Sequence, residues 1–329
     1  MNFSEILRKF EDLGGIANNI ELREGEFGRG LFSKNPHLPV KIRVPTHLLL
    51  SPSSIILNNK NQIQIKQKSA LDPAFISFYE SYHNFFGWSS CGYKEINEFH
   101  NELIALPKNL KQYLLLFGWK RTDFDKKNNK ELLNDYFISR QIRIKNESRL
   151  MPIIELINHS NSGKEYIADE GVTVEGIFKD EVLTCYHGNF DAFHFYKNYR
   201  FTSNSTVVLS CDVKIDVPKI GIINISRFDS EIEVKDGIVI PKITKKNSEI
   251  QISFLDLSNG KTGSNPREIF ITRMAEFNIN KTTANTIFDG LIDHNQKALS
   301  SLINECNLIN SSIAKQIQLI ASNQLKMLN

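Results

Sequence analysis

The stretch from Met151 to Phe201 constrains this chain more than any other. It opens with MPIIELINHS, an apolar run that ends in Asn158, His159 and Ser160. It closes with EVLTCYHGNFDAFHFYKNYRF, where an apolar piece delivers Tyr186 and an aromatic segment continues to Tyr199. Pro152 to Ile157 is too short for an ordinary helix and rich in isoleucine, so the pattern predicts a buried strand. Two short buried strands then each finish in polar groups. Asn, His and Tyr at element ends are side chains that line small-molecule pockets. An Asn-His-Ser turn also has a plainer reading as turn chemistry, because Asn and Ser bond their own backbone.

The remainder of the chain is large enough to carry such a site. Its 329 residues suffice for two domains, or for one domain with an insertion. Lys and Arg number 40 against 37 Asp and Glu, a net charge of +3. That balance argues against a general nucleic-acid binder, although a local basic face is compatible with it. No apolar run is long enough to span a bilayer, and Ser4 to Leu13 is amphipathic and charged, unlike a signal peptide. A cytoplasmic protein is expected. Cys91, Cys185, Cys211 and Cys306 lie far apart with no C-x-x-C pair, so reduced thiols are expected and a bound metal is not.

Phe3, Ile6, Leu7, Phe10 and Leu13 recur at helical spacing, with Ser4 as a cap and Gly14-Gly15 as the stop. Ile20 to Arg23 reads as a strand leading into GEFGRGLFSKN, a glycine-rich loop with neither P-loop nor Rossmann spacing. Pro39 to Pro45 and Leu48 to Leu50 read as further strands, followed by a polar connection from Ser54 to Ser69. Phe75, Phe78, Tyr79, Tyr82 and Phe86 form an aromatic stripe whose helical spacing marks it as core. Helices are expected around Ile96–Leu103, Leu110–Phe117 and Glu131–Ser139, with a solvated loop between Lys120 and Lys130. Beyond Phe201, alternation predicts strands over Thr206–Ile215, Glu231–Ile243 and Ile250–Leu257, then helices from Pro266 onward.

The order of three motifs carries a resemblance. G-R-G-L-F at Gly28–Phe32 stands near the N-terminus, P-x-x-E-x-x-N-H-S at Pro152–Ser160, and N-Y-x-F at Asn198–Phe201 after a strand ending in Tyr186. This order resembles the SET domain, in the split form typified by the Rubisco large-subunit lysine methyltransferase. The resemblance implies an α+β, β-rich SET fold with an inserted helical subdomain and a β-then-helical C-terminal lobe. The segments would be 1–53 and 149–204 for the SET halves, 54–148 for the helical insertion, and 205–329 for a substrate-docking or capping lobe.

It also implies S-adenosylmethionine as cofactor, held by Gly28, Arg29, Gly30, Asn158 and His159. Arg140, with Arg143 as rival, would hold the cofactor's carboxylate. Tyr199 and Tyr186 would act on the acceptor amine, with Phe195, Arg200 and Phe201 along the channel. The implied activity is methylation of a lysine exposed on a protein substrate. A histidine acceptor and a catalytically silent SET-fold scaffold are the alternatives. Neither a membrane nor a nucleic-acid partner is expected, and the oligomeric state is not read from the sequence.

Ser33 stands where the family has a small Ala, a mild departure, and three further positions depart from the family pattern. Glu155 stands where Asp is usual, His187 separates Tyr186 from Gly188, and Arg200 replaces the Gly that follows the second Tyr. The chemistry asks for a neutral amine, whereas free lysine titrates near about 10.4. A narrow apolar channel beside a cation disfavours the ammonium form, and tyrosine hydroxyls can hydrogen-bond there without carrying charge.

Overall fold

The computed structural model describes residues 1–329 apart from 67, 187–189, 219, 228–232, 236–237, 248 and 261–264, with the backbone alone at 70, 233–235, 238 and 239. The fold is α+β. It divides into two units: Met1–Glu98 with Lys127–Tyr186, and Phe99–Lys126 with His187–Asn329.

In the first unit, α1 (Phe3–Asp12) buries Ile6, Leu7 and Phe10. Its cap is Asn2 rather than Ser4, in a reciprocal box with Glu5: each side chain takes the other's backbone N–H, at 2.9 and 3.0 Å. Gly14, at φ +85°, ends it. After β1 (Ile16–Asn18), β2 (Ile20–Gly25) and β3 (Gly28–Ser33) form a hairpin whose last register pair is Gly25 with Gly28. β4 (Val40–Pro45) buries alternate residues, as its β-period predicts.

The strand expected at Leu48–Leu50 does not form. Thr46–Leu48 is a 3₁₀ turn, and the N–H of Leu50 donates to the Tyr79 hydroxyl at 3.2 Å instead of to a ladder. Conversely, the polar connection at 54–69 contains a hairpin, β5 (Ile55–Leu57) with β6 (Ile63–Ile65). Ile55, Ile63 and Ile65 are buried beneath the polar residues that mask them in the sequence. α2 (Pro73–Phe86) starts on the Asp72 cap and buries Phe75, Phe78, Tyr79 and Tyr82. The aromatic stripe is core.

α3 (Tyr93–Ala105), α4 (Lys108–Leu116) and α5 (Asn129–Ile138) follow, and α5 begins on an Asn128–Glu131 capping box just ahead of the expected start. An unanticipated hairpin comes next, β7 (Gln141–Ile144) with β8 (Glu147–Leu150), turning through Lys145 and Asn146 at φ +47° and +66°.

The strand expected over Pro152–Ile157 is also absent. Ile153 takes φ +69° and Ile154–Leu156 makes a 3₁₀ turn, burying Ile153, Ile154, Leu156 and Ile157. An apolar run of this length can be sealed as a core turn as readily as a strand. The strand starts where the apolar run ends, as β9 (Asn158–Lys164), so Asn158 and His159 open a strand instead of closing one. β10 (Gly171–Gly176) joins β4 to complete the sheet β1-β4-β10, and β11 (Leu183–Thr184) runs parallel to β9.

In the second unit, α6 (Ala192–Tyr199) starts on Asp191 and buries Phe193, Phe195 and Tyr196. The segment expected as one strand over Thr206–Ile215 is two, β12 (Val207–Leu209) and β13 (Val213–Val217). They separate at Ser210-Cys211, where the side chain of Asn295 takes the Cys211 N–H at 2.7 Å. β14 (Gly221–Ser226) precedes β15 (Glu233–Lys235) and β16 (Ile238–Ile240); part of the strand expected at Glu231–Ile243 lies outside the described residues. β17 (Ile243–Lys246), β18 (Glu249–Ser253) and β19 (Asp256–Asn259) complete two sheets, β13-β14-β18-β17 and β12-β19. The strand expected over Ile250–Leu257 breaks at Phe254, φ +41°.

α7 (Pro266–Ala275), α8 (Lys281–Asn307) and α9 (Ser312–Leu328) close the chain. One core packs α4 and α6 on α8 and α9; another packs the four-stranded sheet on α7 and α8. Among the described residues no helix is long and apolar enough to cross a membrane. All four cysteines are free thiols.

Gly171 is the tightest backbone position in the first unit. It sits at φ +136°, and a Cβ there would meet the Val44 carbonyl oxygen at 2.2 Å. Gly171→Ala is expected to destabilise the protein by about 2–4 kcal/mol through combined strain and clash. A thermal melt should show a drop of several degrees; an unchanged midpoint would mean that β4 and β10 separate without cost.

Candidate functional site

The parallel pairing of β9 with β11 sets Leu183 opposite Asn158. Such closeness needs Gly163, whose Cβ would lie 2.5 Å from the Thr184 carbonyl carbon. The first unit holds two groups of polar residues, the first of them at this pairing.

In the first group, the Asn158 Nδ2 donates to Glu181 Oε1 at 2.7 Å and to the Arg29 carbonyl at 3.4 Å. Gly30 makes room for both: a Cβ there would meet Glu181 Oε1 at 2.5 Å and Asn158 Nδ2 at 2.6 Å. Gly28 sits at the hairpin tip at φ +84°, and Gly28-Arg29-Gly30 are the opening residues of β3 rather than a free loop. Burial pushes the Glu181 carboxyl up, against the opposing bond from Asn158. Glu181 belongs to none of the three sequence motifs. Its only local signal is an acid directly before an apolar strand, and its bridge to Phe32 spans most of the unit's chain.

His159 and Tyr186 are brought together on the other side. Nδ1 of His159 accepts the backbone N–H of Tyr186 at 3.1 Å, and Nε2 lies 3.1 Å from Asn161 Oδ1. An acceptor at Nδ1 and a donor at Nε2 define the neutral tautomer, and burial lowers the histidine pKa in the same sense. The two rings lie 5.2 Å apart. The Tyr186 hydroxyl donates to the Ile157 carbonyl, closing a loop around the 3₁₀ turn.

The second group gathers Arg29, Tyr82, His83, Tyr136, Arg140 and Glu155. Arg140 lays its guanidinium 3.8 Å over the Tyr136 ring and donates to Ser139 Oγ at 2.6 Å. Its rival Arg143 is exposed in β7. Glu155 accepts the Tyr82 hydroxyl at Oε1, 3.1 Å, while its buried Oε2 has no hydrogen-bond partner. Burial raises the Glu155 carboxyl to about 7, although the cations Arg140 and Arg29 pull it down. His83 is wholly buried among Tyr79, Tyr82 and Phe137 with both ring nitrogens unpartnered. Burial, helped by Arg140, drops it to about 3, so it is neutral.

In the second unit, Tyr199 ends α6 half-buried, its ring centroid 5.9 Å from Phe195 and 6.0 Å from Phe201. Phe195 and Phe201 are 5.6 Å apart, so three expected channel residues form one aromatic cluster. Burial pushes the Tyr199 hydroxyl up to about 12, leaving it a neutral phenol. Arg200 takes φ +67° as the C-terminal cap and holds its guanidinium 5.7 Å over Phe99. A left-handed cap is where glycine is favoured, which gives the missing Gly a backbone reason. Tyr186 belongs to the first unit and Tyr199 to the second; His187 lies outside the described residues.

No protein-family model matches the sequence, and no curated protein matches it. Among solved structures the chain is similar to Rubisco LSMT bound to AdoMet, with a TM-score of 0.43 and 14% identity over 99% of this chain and 89% of that one. It is similar also to Rubisco LSMT bound to sinefungin and monomethyllysine, with a TM-score of 0.44, 14% identity and the same coverage.

The Glu155 carboxyl makes the site pH-sensitive in a defined direction. Its folded pKa, about 7, exceeds the ordinary 4.5. The folded state therefore holds the extra proton, and this group's contribution to stability falls as pH rises from about 4.5 to about 7. Glu155→Gln keeps an acceptor for Tyr82 and carries no charge, so its melting temperature should gain on wild type across that window and stay level above it. A difference that is flat with pH would show that Glu155 is ionised throughout.

Proposed function

We propose that the protein is an S-adenosylmethionine-dependent methyltransferase of the SET type, which methylates a lysine side chain of a protein substrate. The observation that carries this reading is the lodging of the Asn158 amide against Gly30. Two motifs far apart in sequence meet there, where a Cβ on Gly30 would lie 2.6 Å from the Asn158 amide nitrogen and force that side chain to shift.

The residues present fit the cofactor. The β3 backbone at Gly28–Gly30 is free of Cβ atoms at two of three positions, and the neighbouring polar groups include an unpartnered buried carboxylate oxygen. Gly28, Arg29, Gly30, Asn158, His159 and Arg140 would hold it, Arg140 through the cofactor's carboxylate. When bound, it supplies a methyl group made electrophilic by a sulfonium.

The protein's own part is to desolvate and orient an amine. A lysine entering an apolar channel walled by Phe195 and Phe201 loses hydration of its ammonium form, so the neutral nucleophile becomes accessible. Tyr199, a neutral phenol, then directs the nitrogen lone pair by a hydrogen bond, and the resemblance gives Tyr186 an assisting role. The neutral amine would take the methyl group that the cofactor supplies, and the methylated ammonium would shed its proton to water. Little acid–base chemistry is needed, and positioning supplies most of the rate. The 205–329 lobe would dock the protein substrate.

A second reading is a silent scaffold that keeps the fold and binds a partner. It is favoured by Arg200 in place of glycine, and by the engagement of the Tyr186 hydroxyl with the Ile157 carbonyl.

Calorimetry and single-turnover kinetics separate the two. Wild type should bind S-adenosylmethionine, and Asn158→Ala should bind it at least tenfold more weakly, about 1.4 kcal/mol. Tyr199→Phe should leave that affinity unchanged and slow methyl transfer by roughly ten- to a thousandfold. A Phe variant as fast as wild type would make Tyr199 a plain core aromatic. Inert wild type revived by Arg200→Gly, a change that φ +67° accepts readily, would identify Arg200 as a block in a lapsed enzyme.

A further inference from the structure

The second unit contains a buried ion pair to which the mechanism above gives no task. Asp191 is fully buried and spends its two oxygens on different partners. Oδ1 accepts the His194 N–H at 3.0 Å and so caps α6; Oδ2 accepts from Arg227 Nη2. Arg227 is itself buried and directly follows β14. Its backbone N–H donates to Asp212 Oδ1 at 2.8 Å, and the Asp212 N–H donates to the Leu116 carbonyl at 2.9 Å. The side chain is thus fixed at its root by the backbone bond to Asp212 and at its tip by the capping residue of the helix.

As a stabilising device this is poor design. Nη1 of Arg227 is buried with no hydrogen-bond partner, and apolar residues of similar volume often serve as well as a buried pair. Its geometry serves direction instead. α6 has eight residues, too few to hold a course by helix propensity alone. Tyr199 lies at its far end, roughly 12 Å from Asp191 at the rise of an α-helix, so a tilt of about ten degrees at the cap moves Tyr199 by ~2 Å. Displacements of that size matter to a reacting centre.

We propose that Asp191 and Arg227 are positioning residues that aim α6 and thereby set the place of Tyr199. The catalytic part of this inference rests on the methyltransferase reading. The test uses the full chain with Arg227→Lys, and the double variant Asp191→Asn with Arg227→Met, which keeps an acceptor for His194, leaves no charge at either position, and keeps the backbone bond to Asp212. In both, melting temperature should stay within a few degrees of wild type and S-adenosylmethionine affinity within twofold.

In the double variant, kcat should fall at least tenfold with the acceptor KM within threefold, and the amides of residues 195–199 should exchange at least tenfold faster. Arg227→Lys should recover part of both. A folded double variant with wild-type kcat overturns the proposal, as does one with unchanged exchange in α6. If the double variant does not fold, Arg227→Lys decides by the same readouts: wild-type kcat and exchange in it overturn the proposal. A wild-type protein that neither binds the cofactor nor transfers a methyl group would sink the methyltransferase reading alone. Exchange in α6 would then decide whether the pair aims the helix.

Discussion

The first unit depends on the parallel approach of β9 and β11. A parallel pair cannot be closed by a tight turn, so the chain between Lys164 and Leu183 must make an excursion. It uses that excursion to lay β10 against β4 and returns with Glu181 beside Phe32. The one pairing therefore seats Asn158 against Gly30 and places His159 under the Tyr186 N–H. Gly163 is what allows it, since any larger residue would press on the Thr184 backbone.

Around that pairing, burial keeps most ionisable groups uncharged. His83 and His159 are held neutral, Tyr82 and Tyr136 are pushed well above the ordinary phenol range, and Glu155 is raised to about 7. Arg140 and Arg29 are the permanent charges in this group: both are felt by Glu155, and Arg140, stacked on Tyr136, is felt by His83 as well. Two cations among neutral dipoles suit an anionic group such as a carboxylate, and Glu155 supplies a counter-charge only when it loses its proton. This is the physical content of a Glu where the resemblance leads one to expect Asp: the longer side chain reaches Tyr82 and leaves its second oxygen unpartnered.

Much of this arrangement was legible in the residues. The α2 stripe announced itself because Phe75, Phe78, Tyr79 and Tyr82 repeat at the helical period. Gly30 and Asn158 could be named because each motif has local signals, a glycine cluster and polar residues after an apolar run. What escaped depends on partners distant in sequence or on turn chemistry. Glu181 acquires its role only through Asn158. The β7–β8 turn uses Lys145 and Asn146 where Asn-Gly would have been recognisable. The six residues from Pro152 to Ile157 are apolar enough for a strand. Nothing in their order reveals that Ile153 turns left-handed and sends the following residues into a 3₁₀ turn.

That turn has a consequence for cooperativity. A β-branched residue at φ +69° sits in a conformation it would abandon if free, and strain of this kind persists only when its surroundings over-determine it. Here the surroundings are the core itself, which seals Ile153 completely. Ile153 behaves as a latch under tension, five residues ahead of Asn158. The same turn carries the Ile157 carbonyl that accepts from Tyr186 and leads directly into Asn158, so its strain is borne by both contacts. The seat of Asn158 against Gly30 is thereby tied to the completeness of the interior rather than to the ladder of β9 alone.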